Sequence, residues 1–517
     1  MRAWGAVLLL AVAGAAGAHV GGARDDSGVA AAQAAQTYSA MTDAELTARS
    51  REMASQVFRD PCPDKVPYFK EMVRRQPAQR GNQGMKLVAE IYCAAEEGRF
   101  AEGLSLVRQL EAEFGAAPID DVALYLANAL KDGPEILARL RKLEGAGQLV
   151  RFPPQNVTMA MSTAQRAGLG KEADAFAYEV TGSAGFQQMP VEVQGVFAAY
   201  ALGHAADTAT LTRVDALLPY VRSPEAAISY LTRRRYEPIW PQMEEHAGDN
   251  LARITNTFVS WTAGLLIDQP EDADRLSLHA YALLQAGRYE EAAKLANDWL
   301  DQPGSAGGLR EGDGWALNVR VKALDSIGRK AEADRVFDRL AALPADENPW
   351  VVNFVINRAA RLVSQGRWAE GLAATDLARP VAEKHGSPYA QMLVASYRTC
   401  ALYKLDRSEE GARELEFVRA HAADASGSAA VALLCAGLEE EAVAWLARAL
   451  QDENSREQVL EHLQDPRFSL DGTESSVLPS PRALIREREE LLAEALKHIR
   501  ILPDRFVPLA YLRRAPQ

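Results

Sequence analysis

The chain has 517 residues, of which 48% are apolar and only 7% aromatic, and 57 basic against 70 acidic residues give it a net charge of −13. Nucleic acid and anionic lipid are disfavoured as partners, because both repel an acidic surface. A single compact core is also excluded, since a chain of this length divides into domains or stacks repeats.

Residues 1–18 predict a removable secretory signal. Arg2 supplies the basic start, an apolar run follows over 4–12, and the segment ends in Ala16, Gly17 and Ala18. The run is about half of what a membrane helix needs, which favours cleavage over anchoring. No later segment has the roughly 20 continuous apolar residues of a membrane helix. We therefore expect a periplasmic or secreted protein with no integral membrane segment after cleavage.

Residues 19–41 are rich in Gly, Ala, Ser and Gln. They offer little to bury, which indicates a flexible leader. Thr42 and Glu45 then have the spacing of a capping box, in which each side chain binds the other residue's backbone N–H. The first packed helix is expected to begin there.

Residues 42–240 predict an N-terminal helical array. Glycines recur every 35 residues, with an alanine four residues before each and a small residue five residues after; they are Gly98, Gly133, Gly168 and Gly203. A helix C-cap favours glycine because its φ is usually positive. Each glycine is expected to mark the turn of a helix hairpin. Arg234 continues the series, so residues 233–235 are expected to form an exposed turn.

Residues 241–270 interrupt this period and predict an irregular joint. They contain Pro241, Trp261 and Pro270, and the next clear turn comes only at Gly287. Residues 271–460 then predict a second, C-terminal array.

The clearest hairpin lies at residues 275–303. Apolar residues recur at helical spacing on both sides of Gly287, Tyr289 and Ala292 follow it, and Pro303 closes the segment. This Gly-x-Tyr-x-x-Ala turn, with small residues inside both helices, resembles the tetratricopeptide repeat. The resemblance implies an all-α, right-handed superhelical solenoid of helix hairpins, whose concave groove binds a protein or peptide of unspecified identity.

The same turn recurs through the C-terminal array, at Gly287, Gly328, Gly366, Asp406 and Gly437. A leucine stands four residues before each of these turns and is predicted to be core; the five are Leu283, Leu324, Leu362, Leu402 and Leu433. Residues 461–517 predict a linker, with Ser, Pro and Gly concentrated at 469–481, and a capping helix over 483–499.

No pattern of catalytic, cofactor-binding or metal-binding residues appears. The eight histidines are scattered, without a His-Glu-x-x-His or paired-cysteine zinc spacing. A Gly-x-Ser-x-Gly elbow and a phosphate-binding glycine loop are also missing from the sequence. We therefore predict no catalytic residue, no cofactor and no metal ligand.

A column of basic residues is the main candidate for partner binding. His279, Arg320, Arg358 and Arg398 each lie eight residues before a turn, and Asn297, Asp338, Asp376 and Glu416 follow them by 18 residues. Arginine grips carboxylates in a bidentate fork, so the column could hold an acidic peptide. The matched acidic column favours the alternative, internal pairs within each hairpin: Arg320 with Asp338, Arg358 with Asp376, Arg398 with Glu416, and His279 with Asn297 as a neutral variant.

Four cysteines fall at near-repeat separations, Cys62 with Cys93 and Cys400 with Cys435. In an exported protein such pairs tend to be oxidised. The sequence permits three connectivities, and repeat geometry favours these two local pairs. The alternative is four small buried thiols.

These observations favour a non-catalytic, exported scaffold or adaptor that binds a protein or peptide in its groove. The alternative is a cell-envelope enzyme that cleaves glycans on a helical scaffold. Such an enzyme needs two carboxylates among stacking aromatic side chains, and this chain is poor in aromatics.

Overall fold

The computed structural model describes residues 24–56, 62–115, 119–300, 308–470 and 477–514. Their regular structure is helical, and within these ranges the only β-type pairing is one isolated bridge between Arg233 and Ile499. The all-α prediction is confirmed. The predicted signal at 1–18 lies outside the described residues. No helix in these ranges is long and apolar enough to cross a bilayer.

The described chain divides into two compact units, which meet in sequence between Thr210 and Leu211. The N-terminal unit contains α1 Arg24–Ala40, α2 Asp43–Gln56, α3 Cys62–Arg75, α4 Arg80–Glu96, α5 Phe100–Phe114, α6 Asp120–Ala129, α7 Gly133–Gly145, α8 Pro154–Ala164, α9 Gly170–Val180 and α10 Val191–Asp207. The C-terminal unit contains α11 Val214–Leu217, α12 Pro224–Thr232, α13 Trp240–Ala247, α14 Ala252–Asp268, α15 Ala273–Gln285, α16 Tyr289–Leu300, α17 Glu311–Ser326, α18 Lys330–Ala341, α19 Val352–Ser364, α20 Trp368–His385, α21 Pro388–Lys404, α22 Ser408–Ala420, α23 Ser426–Cys435, α24 Glu439–Gln451, α25 Glu453–Leu460, α26 Pro481–Glu487, α27 Glu489–Leu496 and α28 Leu509–Leu512.

The predicted flexible leader is wrong over Arg24–Ala40, which form α1. Ala34 and Tyr38 are buried, and the Tyr38 ring meets that of Tyr68 edge to face, with centroids 5.4 Å apart. Alanine is the best helix former, so a segment with few large apolar residues can still fold when one aromatic residue anchors it. The capping box after it is confirmed, because Thr42 N–H donates to Glu45 Oε2 at 2.7 Å and Glu45 N–H donates to Thr42 Oγ1 at 3.3 Å.

In the C-terminal unit the same backbone hydrogen bond recurs at the five predicted hairpin turns. At the first, Gly287 has φ 68° and Arg288 N–H donates to Leu283 O at 2.9 Å. The equivalent bonds join Arg329 to Leu324, Arg367 to Leu362, Arg407 to Leu402 and Leu438 to Leu433. All five leucines are buried, which confirms that prediction. These hairpins are tetratricopeptide-like.

In the N-terminal unit the glycine period marks only two of its four predicted turns. Gly98 and Gly168 have positive φ, whereas Gly133 begins α7 and Gly203 is buried inside α10. The left-handed residues near those two positions are Lys131 and Ala209, at φ 55° and 52°. Gly133 serves a different purpose, because a Cβ there would lie 2.8 Å from Ala167 Cβ. Close packing and turn formation both select glycine, and spacing alone does not separate them.

The predicted irregular joint at 241–270 is wrong, because α13 and α14 occupy most of it. Pro241 lies in the first turn of α13, where a missing N–H costs nothing. The irregular backbone is confined to Gly248, Asn250 and Leu251, which all have positive φ. The segment belongs to the C-terminal unit, so the boundary between the units precedes the one predicted at 240.

The predicted capping helix is present as two short helices, α26 and α27. Leu484, Ile485 and Leu491 join the apolar core formed with α23 and α24. The chain then returns to the start of the same unit, where Arg234 N–H donates to His498 O and Arg500 N–H to Thr232 O, both at 2.8 Å. The predicted exposed turn at 233–235 lies between α12 and α13, with Arg234 and Arg235 exposed, and its backbone also pairs with the C-terminal segment.

Candidate functional site

The basic column forms ion pairs, but with partners other than those predicted. Arg358 Nη2 lies 2.7 Å from Asp338 Oδ1, and Arg398 pairs with Asp376. Each arginine thus binds the second helix of the preceding hairpin, so the predicted pairs of Arg358 with Asp376 and of Arg398 with Glu416 are wrong. The reason is that a first helix packs against two second helices, its own and the preceding one.

The other two members of the column, His279 and Arg320, also lie next to side chains of this unit. His279 Nδ1 lies 2.9 Å from Thr262 Oγ1 on the preceding helix, and burial lowers the pKa of His279. Arg320 is half-buried on α17. The hydrogen bond from Arg329 is the main cause of the lowered pKa of Glu332, and the charge of Arg320 adds to it. Arg358 and Arg398 already have carboxylate partners, which favours a structural role for the column.

Both cysteine pairs matched in the sequence are joined in the structure. Cys62 and Cys93 connect α3 with α4, with their Cα atoms 5.5 Å apart, and Cys400 and Cys435 connect α21 with α23 at 5.0 Å. These separations lie within the range that a disulfide spans. Across the described part of the chain, no three His, Cys, Asp or Glu side chains converge as a metal site.

The C-terminal unit contains a cavity of about 590 Å³. Its wall comes from α12, α19, α21, α23 and α25, together with residues 461–469 and 478–482. The apolar part of the lining contains Ile228, Val431, Leu460, Leu478 and Ile499. This volume lies within the range of pockets that hold small molecules or a few residues of a peptide.

Among the serines that line the cavity, three come from three successive first helices. They are Ser364 on α19, Ser396 on α21 and Ser428 on α23. Ser396 is only 2% exposed, and its Oγ has no hydrogen-bond partner among the described residues. A buried hydroxyl without a partner costs about 1–3 kcal/mol, so such groups commonly mark a place where a ligand or water binds.

Glu461 and His462 also line this cavity. Both keep solvent-accessible surface, yet burial raises the pKa of Glu461 and lowers the pKa of His462. These two facts agree if the side chains face a space that is open to water but surrounded by protein. Burial is the main cause of the raised pKa of Glu461; Arg233 opposes it, and Glu457 and Glu225 add to it.

Two tyrosines on α21 adjoin the acidic part of the cavity. Tyr397 lines it, and burial, with a smaller contribution from Tyr389, raises the pKa of Tyr397 to about 12. Burial, followed by the nearby Glu461 carboxylate, raises the pKa of Tyr389. Tyr389 is 47% exposed and so presents an aromatic surface beside Glu461.

Several contacts hold the cavity floor in place. Ser426 N–H at the start of α23 donates to Gln458 Oε1 at 2.7 Å, and Trp445 Nε1 donates to Ser426 O at 3.1 Å. Gly427 lies against the His462 ring so closely that a Cβ would overlap it. The residue types here are therefore selected by close approach between α23 and the 3₁₀ turn that follows α25.

The sequence pattern does not indicate this site, because its members share no column in the repeat. Ser364, Ser396 and Ser428 precede their turns by two, ten and nine residues. Glu461 and His462 follow the last repeat, in the stretch assigned to a linker. A closer look at polar residues on the first helices could have found the serines, whereas nothing in the sequence indicates that residues 461–482 return to face them.

A second cavity, of about 700 Å³, lies in the N-terminal unit. Its charged lining is largely satisfied by internal pairs: Glu71 binds Arg74 and Arg75, Glu90 binds Lys86, and Arg99 binds Glu97. A lining whose charges already neutralise one another offers little to a ligand, so the cavity of the C-terminal unit is the stronger candidate.

No protein-family model and no curated protein matches the chain. Among solved structures, the chain is similar to a crystal structure of the APC/C hetero-tetramer Cut9–Hcn1, at 11% identity and a TM-score of 0.26, with 90% of this chain and 98% of that chain covered. It is also similar to a structure of Naa15/Naa10 bound to HypK-THB, at 13% identity and a TM-score of 0.23, with 86% and 83% covered. At these TM-scores neither likeness bears on the activity or the partner of this chain.

Proposed function

We propose that this chain is an exported, non-catalytic scaffold that binds a segment of a partner protein in the cavity of its C-terminal unit. The observation that carries the proposal is the combination, in one cavity, of an apolar wall, a row of hydroxyl groups and several carboxyl groups. Mixed linings of this kind bind by burying apolar surface and gain specificity from a few polar groups.

The repeat architecture supports the proposal. A stack of hairpins makes a long curved surface from side chains of many first helices, and each hairpin depends only on its neighbours. Surface residues can then vary without loss of the fold. Periplasmic or secreted localisation belongs to the proposal as well, and its support is the pattern of residues 1–18 together with the two cysteine pairs.

One observation favours the alternative, a glycan-cleaving enzyme. The carboxyl of Glu461 has a raised pKa and lies near Glu457 and Tyr389. A carboxyl of raised pKa is what a glycosidase uses as its general acid, with a second carboxylate beside it. The two functions make different predictions for the purified chain on glycan, because only the enzyme would release fragments in a way that depends on Glu461.

Site-specific photo-crosslinking in the native host tests the scaffold. A benzoylphenylalanine replaces Tyr397 in the cavity, and the matched control places it at Leu377, which is 63% exposed on α20. We expect a protein adduct after irradiation from position 397 and none from position 377. Adducts of equal yield at both positions, or none at 397, would contradict binding in the cavity.

The enzyme alternative is tested on the purified chain with isolated cell-wall glycan. The scaffold proposal predicts no soluble product above the background of a blank preparation. The wild-type chain could instead release fragments, with the release lost in Glu461→Gln and kept in the exposed control Glu409→Gln. That result would contradict the scaffold proposal and identify a hydrolase.

A further inference from the structure

The charges that line the cavity do not balance one another. Arg233 Nη2 lies 2.6 Å from Glu457 Oε2, and Asp465 is paired with Arg467 at 3.1 Å. Besides those pairs, the described lining contains the carboxyl groups of Glu225 and Glu461 and the guanidinium of Arg482. The cavity therefore has an acidic side.

Glu461 is the carboxyl at the centre of this acidic side. Within the described part of the chain, no Lys, Arg or His nitrogen forms an ion pair with it, and it keeps solvent-accessible surface. Burial raises its pKa, and the opposing effect of Arg233 does not cancel this shift. Glu225, by contrast, already accepts a hydrogen bond from Tyr281 Oη at 3.3 Å.

A second, independent observation places polar ligand atoms in the same cavity. The Ser396 hydroxyl is almost completely buried in the cavity wall, and it has no hydrogen-bond partner within the described ranges. A neutral hydroxyl can donate to a peptide carbonyl or accept from a peptide N–H. Ser428, on the next first helix, offers the same group from a half-buried position.

The remaining lining fits the stem of a long basic side chain. Val431, Leu460 and Leu478 give an apolar surface, against which the methylene groups of lysine or arginine can lie while the charged end stays polar. Tyr389 is close enough to Glu461 to feel its charge, Tyr397 lines the same cavity, and aromatic faces attract cations. An acidic ligand would meet Glu461 and Glu225 and be repelled.

We propose that the cavity selects a partner segment that carries a basic side chain, whose cationic end binds at Glu461 while Ser396 and Ser428 bond to the segment's backbone. This inference rests on the proposed function, because it names the ligand chemistry of the same cavity. The cavity would therefore prefer basic segments. The arginine column, by contrast, was a candidate site for acidic peptides.

The test uses fluorescein-labelled, N-acetylated and C-amidated peptide pools that differ only at one central residue, which is lysine, arginine, norleucine or glutamate. The flanking residues are drawn at random from Ala, Ser, Leu and Tyr, and anisotropy with the full chain measures binding. We expect the lysine and arginine pools to bind at least about tenfold more tightly than norleucine, since a charge-assisted bond supplies that factor. Glutamate should bind least.

Variants show which residues cause the preference for a cationic side chain. Glu461→Gln should bring lysine and norleucine to within about twofold of each other, because it removes the charge and keeps the shape. Glu409→Gln, an exposed carboxylate on α22, is the matched control and should retain the preference. Ser396→Ala should weaken all pools alike, and circular dichroism melting checks that each variant is folded.

The outcomes distinguish the two levels of the proposal. The pools could bind, lose binding in Ser396→Ala and yet show no preference for a cation. That result would overturn this inference and leave the scaffold function standing. A preference that survives Glu461→Gln would also overturn it. If no pool binds, both the cation specificity and the peptide-binding function are rejected.

Discussion

Arginine side chains of the C-terminal unit tie each helix hairpin to the one before it. Arg398 on α21 binds Asp376 on α20 and also approaches Glu414 on α22, with Nε 3.3 Å from Oε2. Arg361 on α19 similarly binds Asp325 on α17 at 2.6 Å. Such bonds join neighbouring repeats, which is where a repeat protein gains its cooperativity.

A double-mutant cycle tests this assignment. The pair Arg398→Ala and Asp376→Ala should show a coupling of about 0.5–1 kcal/mol, at the modest level of ion pairs with one exposed partner. The pair Arg398→Ala and Glu416→Ala should show none. Urea unfolding of the single and double variants measures both; a larger coupling with Glu416 would restore the partner predicted from the sequence.

The leucine that precedes each turn is the residue on which a hairpin's core depends. Leu324→Ala should lower the free energy of unfolding of the C-terminal unit by about 2–5 kcal/mol, because it empties a buried site beside the Gly328 turn. Leu377→Ala, at an exposed position on α20, is the control and should change it by less than about 0.5 kcal/mol. Similar losses from the two variants, measured by urea unfolding, would contradict the repeat assignment.

At the scale of elements, the C-terminal segment closes the unit upon its own beginning. Asn250 Nδ2 donates to Val507 O at 3.0 Å, Arg513 Nη1 donates to Ala286 O at 2.8 Å, and the Tyr289 hydroxyl donates to Ala510 O. Arg500 stacks on Trp240, with its guanidinium carbon 3.7 Å from the ring centroid. The segment therefore caps the last hairpin and the first ones of this unit together.

Gly287 and Gly328 separate the contribution of this segment from that of the turn. Both have positive φ, but a Cβ on Gly287 would lie 2.8 Å from Arg513 Cβ, whereas none lies within 4 Å at Gly328. Gly328→Ala should cost about 1–2 kcal/mol in backbone strain, and Gly287→Ala should cost more. Thermal melts measure both. In a chain that ends at Pro508, Gly287→Ala and Gly328→Ala should lower stability equally, because Arg513 is gone. A larger loss from Gly287→Ala in that shortened chain would argue against the contact with Arg513.

The disulfides are a second link between elements. Non-reduced peptide mapping of protein from the native host should find Cys62 joined to Cys93 and Cys400 joined to Cys435. Each closes a loop of 31 or 35 residues, so loss of one should lower stability by about 3–4 kcal/mol in the chain-entropy account. Cys400→Ser with Cys435→Ser, compared with wild type in urea, measures this. Free thiols at all four positions, or cross-pairing between the units, would contradict it.

At the scale of the whole molecule, the chain consists of two helical units, each with its own core. Their stability rests on contacts between neighbouring helices, and their acidic composition supports solubility while it limits the partners that long-range attraction can bring.

Export remains a prediction at this scale. Intact-mass analysis of protein from the native host should find a mature chain that begins at or near His19, because the pattern of residues 1–18 is that of a cleaved signal. Expression in the presence of a signal-peptidase inhibitor is the control and should retain the segment. A mature mass that still includes residues 1–18 would contradict the proposed localisation.

The sequence by itself determined the helical class, the repeat in the C-terminal unit, its turns and its buried leucines, because these depend on spacing along one or two adjacent helices. It did not determine that α1 would pack through Tyr38, that Gly133 serves close approach, or that Arg398 binds Asp376. Each of these depends on which helices become neighbours. The cavity is the extreme case, since Ser396 and Glu461 come together only when the chain beyond α25 folds back, and no local period records a contact between distant segments.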